Sequence, residues 1–90
     1  MNPELLADLR AALLYELYRV QPLGRPVDTL HQLVRRKVAC TTADVAAQIA
    51  YLQGRNFVRF ERADHLSPGL APFWFITSDG MAHCEEHHLV

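Results

Sequence analysis

Polar and apolar positions alternate along this chain in two different rhythms. From Pro3 to about Val20, Leu5, Leu9, Leu13 and Leu17 recur every four residues, and Leu6 and Leu14 widen the stripe. That spacing predicts an amphipathic helix with one apolar face. Asn2 is a suitable N-cap and Pro3 a suitable first helical residue, because its missing N–H would lack a partner there anyway. Pro22, Gly24 and Pro26 in "QPLGRP" then end the helix. Asp28 is positioned to cap a short second helix, about 29–37, with Leu30, Leu33 and Val34 on one face. After "VACT", Thr41 and Asp44 form the Ser/Thr-x-x-acid pattern of a capping box, and Val45, Ile49 and Leu52 follow at helical spacing. A third helix is therefore expected over about 42–55.

Beyond Asn56, which tolerates the left-handed turn that ends a helix, the rhythm changes from four to two. In "FVRFER", Val58 and Phe60 share one face while Arg59 and Glu61 take the other, so 57–62 reads as a strand. "FWFI" at 73–76 reads as a second strand, and Ser67, Pro68, Gly69 and Pro72 supply the turn between them. An antiparallel pair of this length needs helices over its apolar face, which makes Phe57, Phe60, Trp74 and Phe75 candidate core residues. Thr77 caps a closing helix at about 78–88, although Gly80 disfavours its first turn.

The fold class is thus α+β: three helices, a two-stranded antiparallel hairpin and a C-terminal helix, in one domain spanning residues 1–90. This order resembles the winged helix-turn-helix superfamily, with 63–72 at the wing. "DVAAQIAYLQGRNFVRF" resembles its recognition helix running into the first wing strand, with Asn56 where the family usually has Gly. "ITSDG" resembles the end of the second wing strand and the cap of the last helix. The spacing of "LQGRNFV" and "ITSDG" is also similar to that of small winged-helix proteins of Mu-like bacteriophages, which implies a phage-encoded product.

Ninety residues, half of them hydrophobic, provide for one core. No apolar run is long enough to cross a bilayer and the N-terminus lacks a signal-peptide pattern, so a cytoplasmic protein without membrane association is expected. Cys40 and Cys84 lie outside any CxxC pattern and read as free thiols. The formal net charge of −1 conceals an asymmetry. Residues 25–62 carry Arg25, Arg35, Arg36, Lys37, Arg55, Arg59 and Arg62 against three acids, a balance of +4, whereas 63–90 carry four acids and no Lys or Arg.

The family resemblance implies duplex DNA as the partner, with the third helix in the major groove. The positions it assigns there are Thr41, Thr42, Ala43, Ala46, Ala47, Gln48 and Tyr51, and this mostly alanine surface is poor in groups that read base edges. Arg35, Arg36, Lys37, Arg55 and Arg59, with Arg62, are placed to meet phosphates, which position a protein without reading sequence. The bland reading of the same cations is a solvated helix C-terminus and the wet face of a strand. A second reading is a protein-interaction module that uses apolar Leu66 and Leu70 at the wing, whose tip has no Lys or Arg. Leftover apolar faces of the first and last helices would suit a homodimer. His83 with His87, and Cys84 with His88, are i, i+4 pairs able to chelate a metal, but the two pairs lie about 100° apart on a helix, so no metal is expected. With scattered carboxylates and no phosphate-binding Gly loop, neither an enzyme nor a bound cofactor is expected.

Overall fold

The structure, a computed structural model, describes residues 1–62 and 71–90. Its described part is α+β, in the order α1 (Pro3–Val20), α2 (Val27–Val34), α3 (Thr42–Gly54), β1 (Val58–Glu61), β2 (Phe73–Ile76) and α4 (Ser78–Glu86). Helix α1 is the hub, in contact with α2, α3, α4 and β2. Its leucine stripe supplies Leu9, Leu13, Leu14 and Leu17, all fully buried against Leu30 and Val34 of α2 and Val45, Ile49 and Leu52 of α3. Burial of a leucine side chain contributes about 1.5–3 kcal/mol, so this seam dominates the stability of the three-helix unit. The buried stripe starts one turn later than the spacing predicts: Leu5 is exposed and Leu9 is the first leucine fully buried.

Helix α2 departs from expectation at both ends. It begins at Val27, with Pro26 rather than Asp28 as N-cap. The proline ring presets φ at −76°, ψ is 163°, and the Pro26 carbonyl accepts the first helical bond from Leu30 N–H at 3.0 Å, so the cap forms without a side-chain acceptor. Asp28 falls in the first turn, where a carboxylate suits the helix dipole. The helix ends at Val34, whose carbonyl accepts from both Lys37 N–H and Val38 N–H at 2.9 Å. Arg35, Arg36 and Lys37 consequently sit on a tightened turn instead of on the helix.

The connection into α3 is pinned by His31. Its Nε2 lies 2.9 Å from the Cys40 carbonyl and its Nδ1 3.3 Å from Thr42 Oγ1. A carbonyl only accepts, so Nε2 carries the proton, and in the neutral ring Nδ1 accepts from the threonine hydroxyl. Both halves of the capping box are present: Thr41 Oγ1 accepts from Asp44 N–H at 3.1 Å, and Asp44 Oδ2 accepts from Thr41 N–H at 2.9 Å.

Asn56 ends α3 with φ 64°, in the left-handed region. The reversal lets Phe57 N–H donate to the Leu52 carbonyl at 3.0 Å, and Asn56 itself joins two elements. Its amide donates to Asp79 Oδ2 at 2.8 Å and its carbonyl accepts from Thr77 Oγ1 at 2.7 Å. The Thr77 hydroxyl also accepts from Gly80 N–H, which makes it the cap of α4. Gly80 is buried there: a Cβ on it would overlap the Phe57 carbonyl oxygen and lie 2.7 Å from Ile76 Cγ1. The glycine that disfavours a helix by propensity is the residue that lets α4 approach the start of β1.

β1 and β2 pair antiparallel, with Val58 opposite Ile76 and Phe60 opposite Trp74. On the other edge of β2, Arg25 N–H donates to the Trp74 carbonyl at 3.0 Å and Trp74 N–H donates to the Arg25 carbonyl at 2.9 Å. The segment between α1 and α2 thereby adds a one-residue rung to the sheet, which the hydrophobic pattern does not disclose. Gly24 permits the approach, since a Cβ there would sit 2.7 Å from the Trp74 oxygen. The aromatic residues divide: Phe57 and Trp74 pack against the buried core from its edge, whereas Phe75 and Phe60 do not join it. Phe57, Trp74 and Phe75 are half-buried, and Phe60 is 44% exposed with its ring 5.3 Å from that of Trp74. Among the described hairpin residues, Val58 and Ile76 at its helix-side end are the buried ones. No helix among the described residues is long and apolar enough to cross a membrane.

Candidate nucleic-acid interface

Helix α3 turns Val45, Ile49 and Leu52 inward, so the opposite side, with Ala43, Ala46, Ala47, Ala50 and Gly54, is exposed. It is a smooth surface of methyl groups and backbone. The polar side chains assigned to this helix are arranged around other tasks. The Thr41 hydroxyl is held by its capping interaction and the Thr42 hydroxyl by His31. Gln48, Tyr51 and Arg55 lie along the flank facing α1, where a residue missed by the sequence reading gathers them. Arg10 Nε donates to Gln48 Oε1 at 2.7 Å, and its guanidinium carbon lies 3.6 Å from the Tyr51 ring centroid. Arg55 Nη1 donates to Tyr51 Oη at 3.2 Å. Tyr51 is thus contacted by two guanidiniums, one over its face and one at its hydroxyl. The signal for Arg10 was a cation interrupting an apolar stripe, and its partner 38 residues away is set only by the packing of α1 on α3.

Besides Arg55, the basic side chains expected at phosphate differ in how they are held. Arg35 and Arg36 are exposed on the turn before α3 and make no ion pair among the described residues. Lys37 lies 3.9 Å from Glu16 and 4.2 Å from the Tyr15 ring centroid, so it is held against α1. Glu16, although 5% exposed, is satisfied by Arg19 at 2.9 Å as well. Arg59 pairs with Glu61 at 2.6 Å and lies over Phe75. Exposed pairs of that kind contribute about 0–1 kcal/mol, too little to keep Arg59 from a competing phosphate. Arg62 also has interactions within the chain. Leu66 and Leu70, the residues of the protein-interaction reading, lie outside the described residues.

Asp44, His83 and Cys84 have shifted proton affinities with clear causes. The Asp44 carboxyl is held below its ordinary range by hydrogen bonds from the Thr41 backbone and hydroxyl. Burial, reinforced by His87 and Arg55, lowers the affinity of His83 for a proton. The C-terminal His/Cys pairs are divided between core and surface. Cys84 is fully buried, and burial raises its thiol to about 11. His83 instead stacks on Phe57 with centroids 4.4 Å apart, and His87 lies 4.4 Å from His83. No group of three or more His, Cys, Asp or Glu side chains converges among the described residues. Helices α1 and α4, on which the sequence predicts leftover apolar faces for a homodimer, pack on each other, with Tyr18 Oη donating to Glu85 Oε2 at 3.0 Å.

In comparisons with known proteins, the chain matches no family model, no curated protein and no solved structure.

Proposed function

We propose that this chain is a winged-helix protein that binds duplex DNA without catalysing a reaction, and that it grips the duplex chiefly through phosphates. The observation that supports this most directly is the pair Arg35 and Arg36. Both are exposed, both lack an ion-pair partner among the described residues, and both sit on the turn that leads into the cap of α3. Arg59 and Lys37, in weak intramolecular pairs, are the next cations available. The outer face of α3 carries no side chain larger than a methyl group at Ala43, Ala46, Ala47 and Ala50, so it suits close approach to a groove and gives little base discrimination. Affinity in this arrangement is dominated by counterion release and varies little between sequences. A Mu-like phage origin is consistent with this small domain and remains part of the proposal.

Fluorescence anisotropy with unrelated duplexes, over a range of salt concentrations, tests the reading. Affinity should fall steeply with salt, and Arg35→Ala with Arg36→Ala should reduce the steepness of the log–log plot by about 1.8, from roughly 0.9 per phosphate contact. An unchanged slope in the double variant, or no binding by the wild type at low salt, refutes it. The same smooth alanine face favours one second reading, in which α3 packs against a helix of a protein partner. Salt-insensitive capture of a protein, without duplex binding, would select that reading.

A further inference from the structure

The flank of α3 that faces away from its alanine surface borders a cavity of about 280 Å³ between α1, the end of α3 and α4. Its floor is apolar, formed by Leu14, Leu52 and the Phe57 ring, and small Ala7 and Ala11 on α1 leave it open. Its rim carries four basic side chains from three elements: Arg10 of α1, Arg55 at the end of α3, and His83 and His87 at the end of α4. Among the described residues, no Asp or Glu lines it. Two guanidiniums, Arg10 and Arg55, thus stand beside an apolar floor, whereas Arg19, Lys37 and Arg59 each have a carboxylate within 4 Å.

We propose that this cavity binds a small organic carboxylate whose apolar body, an aromatic ring or short acyl chain, rests on Leu14, Leu52 and Phe57 while its carboxylate is taken by Arg10 and Arg55. The guanidiniums are already held in position. Arg10 stacks on Tyr51 and spends its Nε on Gln48, and Arg55 spends one Nη on the Tyr51 hydroxyl, so each retains terminal N–H donors. Fixing an arginine fork before the ligand arrives removes much of the rotamer cost of binding, and a planar fork matches a carboxylate. The volume lies just below the usual range for ligand pockets, which selects a single ring or a short chain over a nucleotide. The apolar floor selects an organic acid over a bare oxyanion.

The site is independent of the DNA reading, and its test needs no nucleic acid. Phenylacetate is titrated into the full chain and followed by two-dimensional amide NMR and by calorimetry, beside its neutral isostere phenylacetamide, acetate and inorganic phosphate. Phenylacetate should shift the amides of Ala7, Ala11, Tyr51, Phe57 and His83 and saturate, with phenylacetamide and acetate each at least tenfold weaker. Arg10→Met should weaken phenylacetate about tenfold or more, and Ala7→Leu, which fills the mouth of the cavity and leaves every charge in place, should weaken it comparably. Arg59→Ala, outside the cavity, should leave it unchanged, and the amide spectrum of each variant reports whether it is folded. Equal binding of phenylacetamide overturns the role of the arginines. Inorganic phosphate binding as tightly as phenylacetate overturns the role of the apolar floor. Absence of saturable shifts in the wild type overturns the site altogether.

Discussion

Replacing Gly80 with alanine should destabilise the protein, and making the same replacement at Gly54 should stabilise it. In a helix interior, Gly→Ala ordinarily contributes up to about 1 kcal/mol in favour of the folded state, because glycine has more backbone freedom to lose. At Gly54, in the last turn of α3, an added methyl meets no atom within 4 Å, so part of that gain, roughly 0.5 kcal/mol, should be realised. At Gly80 the added methyl would overlap the Phe57 carbonyl oxygen, a backbone atom that cannot rotate away, and would press on Ile76. The Phe57 carbonyl is moreover the acceptor for Thr77 N–H at 3.0 Å, so relieving the overlap weakens the junction of β1 and α4. Overpacking of this kind costs about 1–3 kcal/mol, which outweighs the propensity gain. For a domain of this size 1 kcal/mol moves the melting temperature by roughly 4–8 °C, so Gly80→Ala should melt about 5–20 °C lower and Gly54→Ala a few degrees higher. Thermal and urea melts followed by circular dichroism measure both. A Gly80→Ala variant as stable as wild type would refute the close packing of α4 on β1 described above.

Two further predictions concern caps and protons. Thr41→Ala removes the hydroxyl that accepts from Asp44 N–H, and should cost about 1 kcal/mol, whereas Thr41→Ser should retain most of it. Equal urea midpoints for the alanine and serine variants would show that the cap is not stabilising. For His83, the folded state disfavours the imidazolium through burial, His87 and Arg55, with only Glu86 opposing, so its proton affinity lies below the ordinary 6.5. The unfolded chain therefore binds more protons as the pH falls past 6.5. The His83 contribution is complete above that value and is lost as the pH falls through the lowered folded value. Urea midpoints between pH 8 and 5 should accordingly decline more in wild type than in His83→Gln; parallel pH profiles would refute the assignment. Asp44 acts lower on the scale: its stabilising ionisation is complete above 3.8 and is lost in stronger acid.

Much of the architecture was legible because it is carried by local signals. Four-residue leucine spacing identifies α1, since residues four apart share a helix face whatever the rest of the chain does. Thr41 with Asp44 identifies the start of α3, and Asn56 its end, because caps are satisfied by groups within three or four residues. The limits of the same reasoning are equally local. Asp28 had the chemistry of a cap, but Pro26 two residues earlier met the backbone requirement first. Phe60 followed strand alternation, yet alternation states only which face a residue takes, and the helices cover that face at Val58 alone.

The sequence by itself determined which segments are helix and strand, the capping of α3, and the basic middle and acidic end of the chain. Each of these depends on residues close together along the backbone. Only the tertiary structure decided that Arg25 adds a rung to the sheet beside Trp74, that Gly80 is needed for packing, and that Arg10 and Arg55 meet at Tyr51. It also separated the basic residues into Arg35 and Arg36, unpaired among the described residues, and the tethered Lys37 and Arg59. Apart from the local contacts of Arg59 with Glu61 and of Arg55 with Tyr51, the physical reason is common to them. A contact between residues tens of positions apart depends on how helices and strands stack, and neither periodicity nor composition specifies which side chains that stacking brings within hydrogen-bonding distance.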